Sequence, residues 1–141
     1  MAIKQVVFVN RCDAESRIGN RDWVAISISD PFSDPPTLEG GWQSVLRLRF
    51  SDIEKEDKPS VMFSARDAQS IIDFVWRANE AGVENILVHC KAGVSRSAAV
   101  AKWIAGEYHL PFDHDYFLYN RHIYSTLCKI ANGSHDAIMP P

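Results

Sequence analysis

Apolar residues recur along the chain with two periods. Four short runs rich in β-branched and aromatic residues read as strands: Val6-Val7-Phe8-Val9, bounded by the turn-prone Asn10; Trp23-Val24-Ala25-Ile26-Ser27-Ile28, stopping at Asp30-Pro31; Val45-Leu46-Arg47-Leu48-Arg49-Phe50; and Ile86-Leu87-Val88. The last is apolar on both faces, as a central parallel strand is. Helical spacing fills the intervals. Arg11 to Ile18 predicts a helix ending near Gly19-Asn20. The clearest helix opens at Ser64, which can cap it together with Asp67, and carries Ala68, Ile71, Ile72, Val75 and Ala78 until Gly82. Ala98 to Leu110 predicts an apolar helix stopped by Pro111. Phe117, Tyr124, Leu127 and Ile130 predict a last amphipathic helix from Asp113 to Ala131, with Gly133 at its end and residues 134–141 as a disordered tail. Strand and helix in alternation predict an α/β domain of three layers: a central, mostly parallel sheet of about four strands, flanked by helices on both faces.

Two segments interrupt the alternation. Ser29 to Trp42 is dense in Pro, Gly, Asp and Ser, the residues that punctuate regular structure. Loops leaving the C-terminal ends of parallel strands lie on the ligand face. This segment therefore either supplies a rim, with Phe32 and Trp42 as aromatic walls, or is a surface connection with both rings tucked into the core. Ser51 to Pro59 is a charge run, mostly solvated loop, in which Asp52 differs by standing directly past a strand end. Arg47 and Arg49 alternate with apolar neighbours and so share one face or an exposed edge.

At 141 residues and 46% hydrophobic, residues 1–141 fit a single domain with one core. A formal charge of −3 argues against binding nucleic acid or a membrane through bulk electrostatics. Met1-Ala2-Ile3-Lys4-Gln5 lacks an apolar signal segment and no run approaches a transmembrane span, so a soluble, cytoplasmic protein is expected. Cys12, Cys90 and Cys128 are an odd set without metal-ligand spacing, and His89, His109, His114, His122 and His135 form no pair that suggests zinc. Neither a disulfide framework, a metal nor an organic cofactor is expected.

The chemistry concentrates in Val88-His89-Cys90-Lys91-Ala92-Gly93-Val94-Ser95-Arg96-Ser97, where a buried strand turns sharply into a helix. Consecutive amides in such a turn, backed by the positive end of a helix, converge on a tetrahedral oxyanion. Gly93 lets the backbone bend closely around it. Cys90 sits where amides and a cation favour the thiolate, a setting that lowers a thiol pKa from about 8.5 into the ~3.5–7.5 range. Arg96 offers a planar fork that grips two phosphate oxygens at once.

His89-Cys90-x5-Arg96-Ser97 resembles the signature of the cysteine-dependent protein tyrosine phosphatases, and Ala92 to Ser97 is most similar to the small dual-specificity branch. The resemblance implies a phosphatase-like fold and hydrolysis of phosphate monoesters through a phosphocysteine, without metal or cofactor, on a phosphorylated protein or peptide. Cys90 would be the nucleophile. The amides of Lys91, Ala92, Gly93, Val94, Ser95 and Arg96, with the Arg96 guanidinium, would bind the phosphoryl group. Ser97 would hydrogen-bond the sulfur and help it leave, and His89 would orient the Cys90 backbone. The chain lacks the long extra segments and the phosphotyrosine-recognition loop of the larger, tyrosine-specific enzymes, which leaves the depth of its slot, and so tyrosine against serine/threonine preference, open.

Expulsion of an alkoxide or phenoxide needs an acid, and in that family it is an Asp upstream of the signature. Spacing favours Asp57 and strand-end placement favours Asp52; placement weighs more, because loop insertions cost little. Asp113 and Asp115, downstream, read as caps for the last helix. Other readings are a phosphatase of a non-protein substrate such as a phosphoinositide or nucleotide, suggested by Lys91-Ala92-Gly93; a sulfur or arsenate enzyme, which lacks an evident resolving cysteine here; and a catalytically inactive phosphoprotein-binding module.

Overall fold

The computed structural model of the chain describes residues 2–55 and 61–138. The four apolar runs form β1 (Gln5–Asn10), β2 (Trp23–Ser29), β3 (Ser44–Arg49) and β4 (Asn85–Cys90), all parallel, in the order β1-β4-β2-β3. β4 is therefore interior, with Val88 between Phe8 of β1 and Ile26 of β2. The helices are α1 (Arg11–Ser16), α2 (Ala65–Glu80), α3 (Arg96–Glu107) and α4 (Arg121–Ile138). Among the described residues, no helix is long and apolar enough to cross a membrane.

Strand alternation sorts side chains into two unequal layers. One face carries Val24, Ile26, Ile28, Ile86 and Val88, which pack under α2, α3 and α4 through Ile71, Val75, Trp103, Ile104, Ile123 and Leu127, all buried. The opposite face carries Ala25 and Leu87 against Ala14 of the short α1, with Leu38 and Trp42 packed alongside. The second layer is thin because β2 and β3, though parallel neighbours, are joined by residues 30–43 without a helix, and this connection covers the sheet itself. Arg47 and Arg49 lie on this thin face, as strand alternation requires, and bind its carbonyls: Arg47 Nη1 donates to Pro36 O (2.9 Å) and Arg49 Nη1 to Pro31 O (3.4 Å).

Local chemistry explains the helix ends. Ser64 Oγ accepts from Asp67 N while the Asp67 carboxylate accepts from Ser64 N, closing the expected capping box on α2. Gly82, at φ +82°, ends it, with Val83 N donating back to Ala78 O. α3 ends the same way one step before Pro111, with His109 at φ +57° and Leu110 N donating to Ala105 O.

One open reading is decided and one expectation is corrected. Of the two readings of the segment before β3, Trp42 follows the second: it packs edge-on to Trp23 (6.4 Å between centroids) against the Ala25 and Leu87 layer, at the end of the sheet opposite Cys90. The last helix starts at Arg121, not Asp113, and runs past Gly133 to Ile138. Asp113 accepts from Asp115 N in its own turn, and the cap is Asn120, whose Oδ1 accepts from Ile123 N. Residues 111–119 stay irregular because rings rather than a helical seam hold them: Lys102 of α3 places its ammonium 5.5, 5.1 and 5.3 Å from the centroids of Phe112, Tyr119 and Tyr124. Phe117, one of the residues whose spacing suggested the longer helix, is 67% exposed.

Candidate active site

β4 ends at Cys90 and α3 begins at Arg96, so residues 91–95 form the turn between them. Gly93 is required twice there. Its φ is +69°, and a Cβ would lie 2.4 Å from Asn10 N and 2.6 Å from the Val9 carbonyl carbon, both backbone atoms that cannot move aside. The loop thus rests on the end of β1. Three of its carbonyls are bonded to neighbouring segments: Lys91 O accepts from Arg11 N (3.3 Å), Val94 O from the Tyr116 hydroxyl, and Ser95 O from Asn120 N (3.1 Å). The amides of Ala92, Val94 and Ser95 donate to no acceptor among the described residues. Gly93 N–H lies 3.3 Å from Cys90 Sγ, and Ser97 Oγ lies 3.2 Å from the same sulfur.

Ser95 occupies the N-cap position of α3 but makes no capping bond. Its hydroxyl donates instead to Asp52 Oδ1 at 2.8 Å. The first amides of α3 are thereby left uncapped at the positive end of a helix, which is the electrostatic requirement for an anion site. Asp52 Oδ1 also accepts from Asn120 Nδ2 (2.9 Å), and Oδ2 accepts nothing among the described residues. Asn120 is a three-way joint: its amide nitrogen binds Asp52 and Ile53 O, its Oδ1 caps α4, and its backbone N–H holds Ser95 O.

Arg96 is buried, at 5% exposure, with Nη1 donating to Asp30 Oδ1 (2.8 Å) and Phe50 O (2.9 Å) and with Nε unpartnered among the described residues. His89 lies behind the loop, fully buried, with Nε2 2.6 Å from Ser27 Oγ and no hydrogen bond on Nδ1 among the described residues. Burial lowers its pKa to about 4, opposed by the Cys90 backbone and reinforced by Arg11 and Arg47, so the ring is neutral at pH 7. Burial, and then the nearby Cys90 sulfur, raise the Tyr116 phenol.

The fold therefore brings Cys90, Ser97, Arg96, Asp52 and the loop 91–95 to one end of the sheet, with His89 beneath them. Asp57 lies outside the described residues, and among the described residues Asp113 and Asp115 make no hydrogen bond or ion pair with the loop. Phe32, 83% exposed, leaves the same end of the sheet. Four residues here escaped the sequence reading. Asp30 has the same strand-end position that singled out Asp52, and Ser27 is a polar residue in an apolar run on the His89 face; both signals were readable. Asn120 and Tyr116 gave none, because their partners are distant in sequence. Among the described residues, no group of three or more His, Cys, Asp or Glu side chains is placed to hold a metal.

At the level of sequence, neither a family model nor a curated protein matches the chain. Solved structures do. Human DUSP28 superimposes with a TM-score of 0.61 at 19% identity, over 94% of each chain. A mouse putative dual specificity phosphatase, solved with zinc tungstate, gives 0.58 at 20% identity over 93% of this chain and 85% of that one. A human tyrosine phosphatase-like serine/threonine/tyrosine-interacting protein gives 0.57 at 18% identity over 94% and 91%. The fold is that of the small dual-specificity phosphatases. At these identities the likeness extends to the fold, and what this chain does with it depends on its own residues.

Proposed function

We propose that this protein is a phosphoprotein phosphatase that hydrolyses phosphate monoesters, phosphotyrosine foremost, through a phosphocysteine. The observation that carries the reading is the polarity of the loop: the carbonyls of Lys91, Val94 and Ser95 bonded to neighbouring segments, the amides of Ala92, Val94 and Ser95 without an acceptor among the described residues, and the Cys90 sulfur at its centre. Such a cradle binds three phosphoryl oxygens while the Cys90 sulfur, as the thiolate that the last step regenerates, attacks phosphorus. As the S–P bond forms and the ester P–O bond breaks, the electron pair leaves on the ester oxygen, which takes its proton from Asp52. The resulting carboxylate then removes a proton from water, whose oxygen attacks phosphorus. The S–P bond breaks, inorganic phosphate forms, and the departing thiolate is stabilised by the Ser97 hydroxyl and Gly93 N–H.

The surface beside the loop supports a peptide substrate over a polyanionic headgroup or a nucleotide. Val94, Phe117 and Leu118 are exposed there, and the loop carries one cation, Lys91. Phosphate release from p-nitrophenyl phosphate and a phosphotyrosine peptide tests the reading. Activity should vanish in Cys90→Ser, fail in Arg96→Lys because the bidentate fork is lost with charge retained, yield to orthovanadate, and survive a chelator. Turnover that a chelator removes and a divalent ion restores would overturn it, as would a headgroup or nucleotide preferred over every phosphopeptide.

A further inference from the structure

Arg96 has five N–H groups, and the structure divides them sharply. Both protons of Nη1 are taken, one by Asp30 Oδ1 at 2.8 Å and one by Phe50 O at 2.9 Å. Nε is buried without a partner, and Nη2 donates to nothing among the described residues. A guanidinium has two edges with parallel N–H bonds, Nη1–Nη2 and Nε–Nη2; with Nη1 occupied, Nε–Nη2 is the edge left to match two oxygens of a tetrahedral anion. Two acceptors on Nη1 fix the plane of the guanidinium; Phe50 O alone would leave it free to pivot.

Asp30 is itself held. It follows β2, and Pro31 restricts its backbone to extended conformations. The segment after it is pinned by three arginines: Arg49 on Pro31 O, Arg11 on Asp34 O (2.9 Å) and Arg47 on Pro36 O. Ser33 N donates to Asp30 O at 3.2 Å.

We propose that Asp30 is the positioning residue of Arg96: with Phe50 O it occupies Nη1 so that the Nε–Nη2 edge is presented to the phosphoryl group before substrate arrives. This rests on the phosphatase reading of the site. Asp30 acts through Arg96 and not on the leaving oxygen, and its negative charge opposes the incoming phosphate, so its benefit is orientation.

The test compares Asp30→Ala with Asp30→Asn in the full chain. Asn keeps an oxygen for Nη1 and removes the charge, so it should retain kcat within about fivefold; Ala should lose about 10²-fold in kcat, the scale of a small misplacement of a catalytic group. The Ki for orthovanadate, a transition-state mimic, should rise in Ala alone, and the Ki for inorganic phosphate, gripped by the same edge in the ground state, should rise with it by a smaller factor. The loss in Ala should be the same for good and poor leaving groups, which separates it from Asp52→Asn. Kinetics and vanadate affinity within twofold of wild type in Asp30→Ala would overturn the proposal, as would equal losses in both variants that follow a lowered Tm, or a leaving-group dependence like that of Asp52→Asn. If Asp30→Ala does not fold, Asp30→Ser, which cannot reach Nη1, takes its place with the same expectations. A wild type that hydrolyses no phosphate ester sinks the functional reading instead, and tungstate affinity measured by calorimetry in wild type, Ala and Asn then still decides the role of Asp30.

Discussion

The two faces of the sheet are built on different physics, and the candidate site draws on both. On the thick face, burial of branched side chains under three helices does the work: Ile26, Ile86, Val88, Ile104 and Leu127 are wholly removed from water. On the thin face, a short helix and a loop leave room for polar groups, and order comes from directed bonds: three arginines on loop carbonyls, Ser27 on His89, Asp30 on Arg96. The thick layer reaches the site through Asn120 at the start of α4, which holds Asp52 and the Ser95 carbonyl. The thin layer reaches it through Asp30 and His89. In the proposed mechanism proton transfer is therefore set by the helical side and anion grip by the loop side, an arrangement that lets the two be broken separately.

The largest change expected lies in chemistry on the helical side. Asp52→Asn should lower kcat by about 10²-fold or more on a phosphotyrosine peptide, with a smaller loss on an aryl ester whose phenol leaves readily. A loss equal for both esters would remove the acid role from Asp52. Next is the packing of the same side: Ile26→Ala should cost about 2–5 kcal/mol in denaturant unfolding, with kcat per folded molecule preserved. A cost below about 1 kcal/mol would contradict the contrast between faces.

The thin face should show itself through pH. The pKa of His89 is depressed from 6.5 to about 4 in the folded protein, so the unfolded chain binds the extra proton between those values, and stability falls as pH falls through that window. Between pH 7 and 4.5 this group should remove about 2–3 kcal/mol of stability. His89→Asn should flatten that part of the curve, and matching pH slopes in the two proteins would refute it. The smallest effect belongs to Arg47→Ala, about 1 kcal/mol from one part-buried hydrogen bond to Pro36 O. A larger cost would mean that the loop contributes more to the fold than directed bonds alone.

What was legible in the sequence follows the same division. Strands, the α2 capping box and the Cys90–Arg96 turn are local patterns, carried by neighbouring residues, and they appear within a residue or two of their expected bounds. The start of α4 was misjudged because Phe117 falls on helical spacing yet faces solvent, and the true cap, Asn120, is identified only by what it holds across the site. Trp42 was ambiguous for a related reason: a Pro- and Gly-rich loop does not announce which end of a sheet its aromatics reach, and Gly19, whose missing side chain makes room for the Trp42 ring, is far away in sequence. Asp30 stood in plain view at a strand end, but its significance depends on Arg96, which only the fold brings beside it.

The account rests on Cys90 becoming covalently bonded to phosphorus. Rapid acid quench of the protein during turnover of a ³²P-labelled phosphotyrosine peptide, followed by peptide mapping, tests this directly. The account predicts a covalent label on the peptide containing Cys90, accumulating further in an Asp52→Asn background when an activated aryl phosphate is used, and absent in Cys90→Ser. Label on any other residue, or sustained phosphate release by Cys90→Ser, would contradict it.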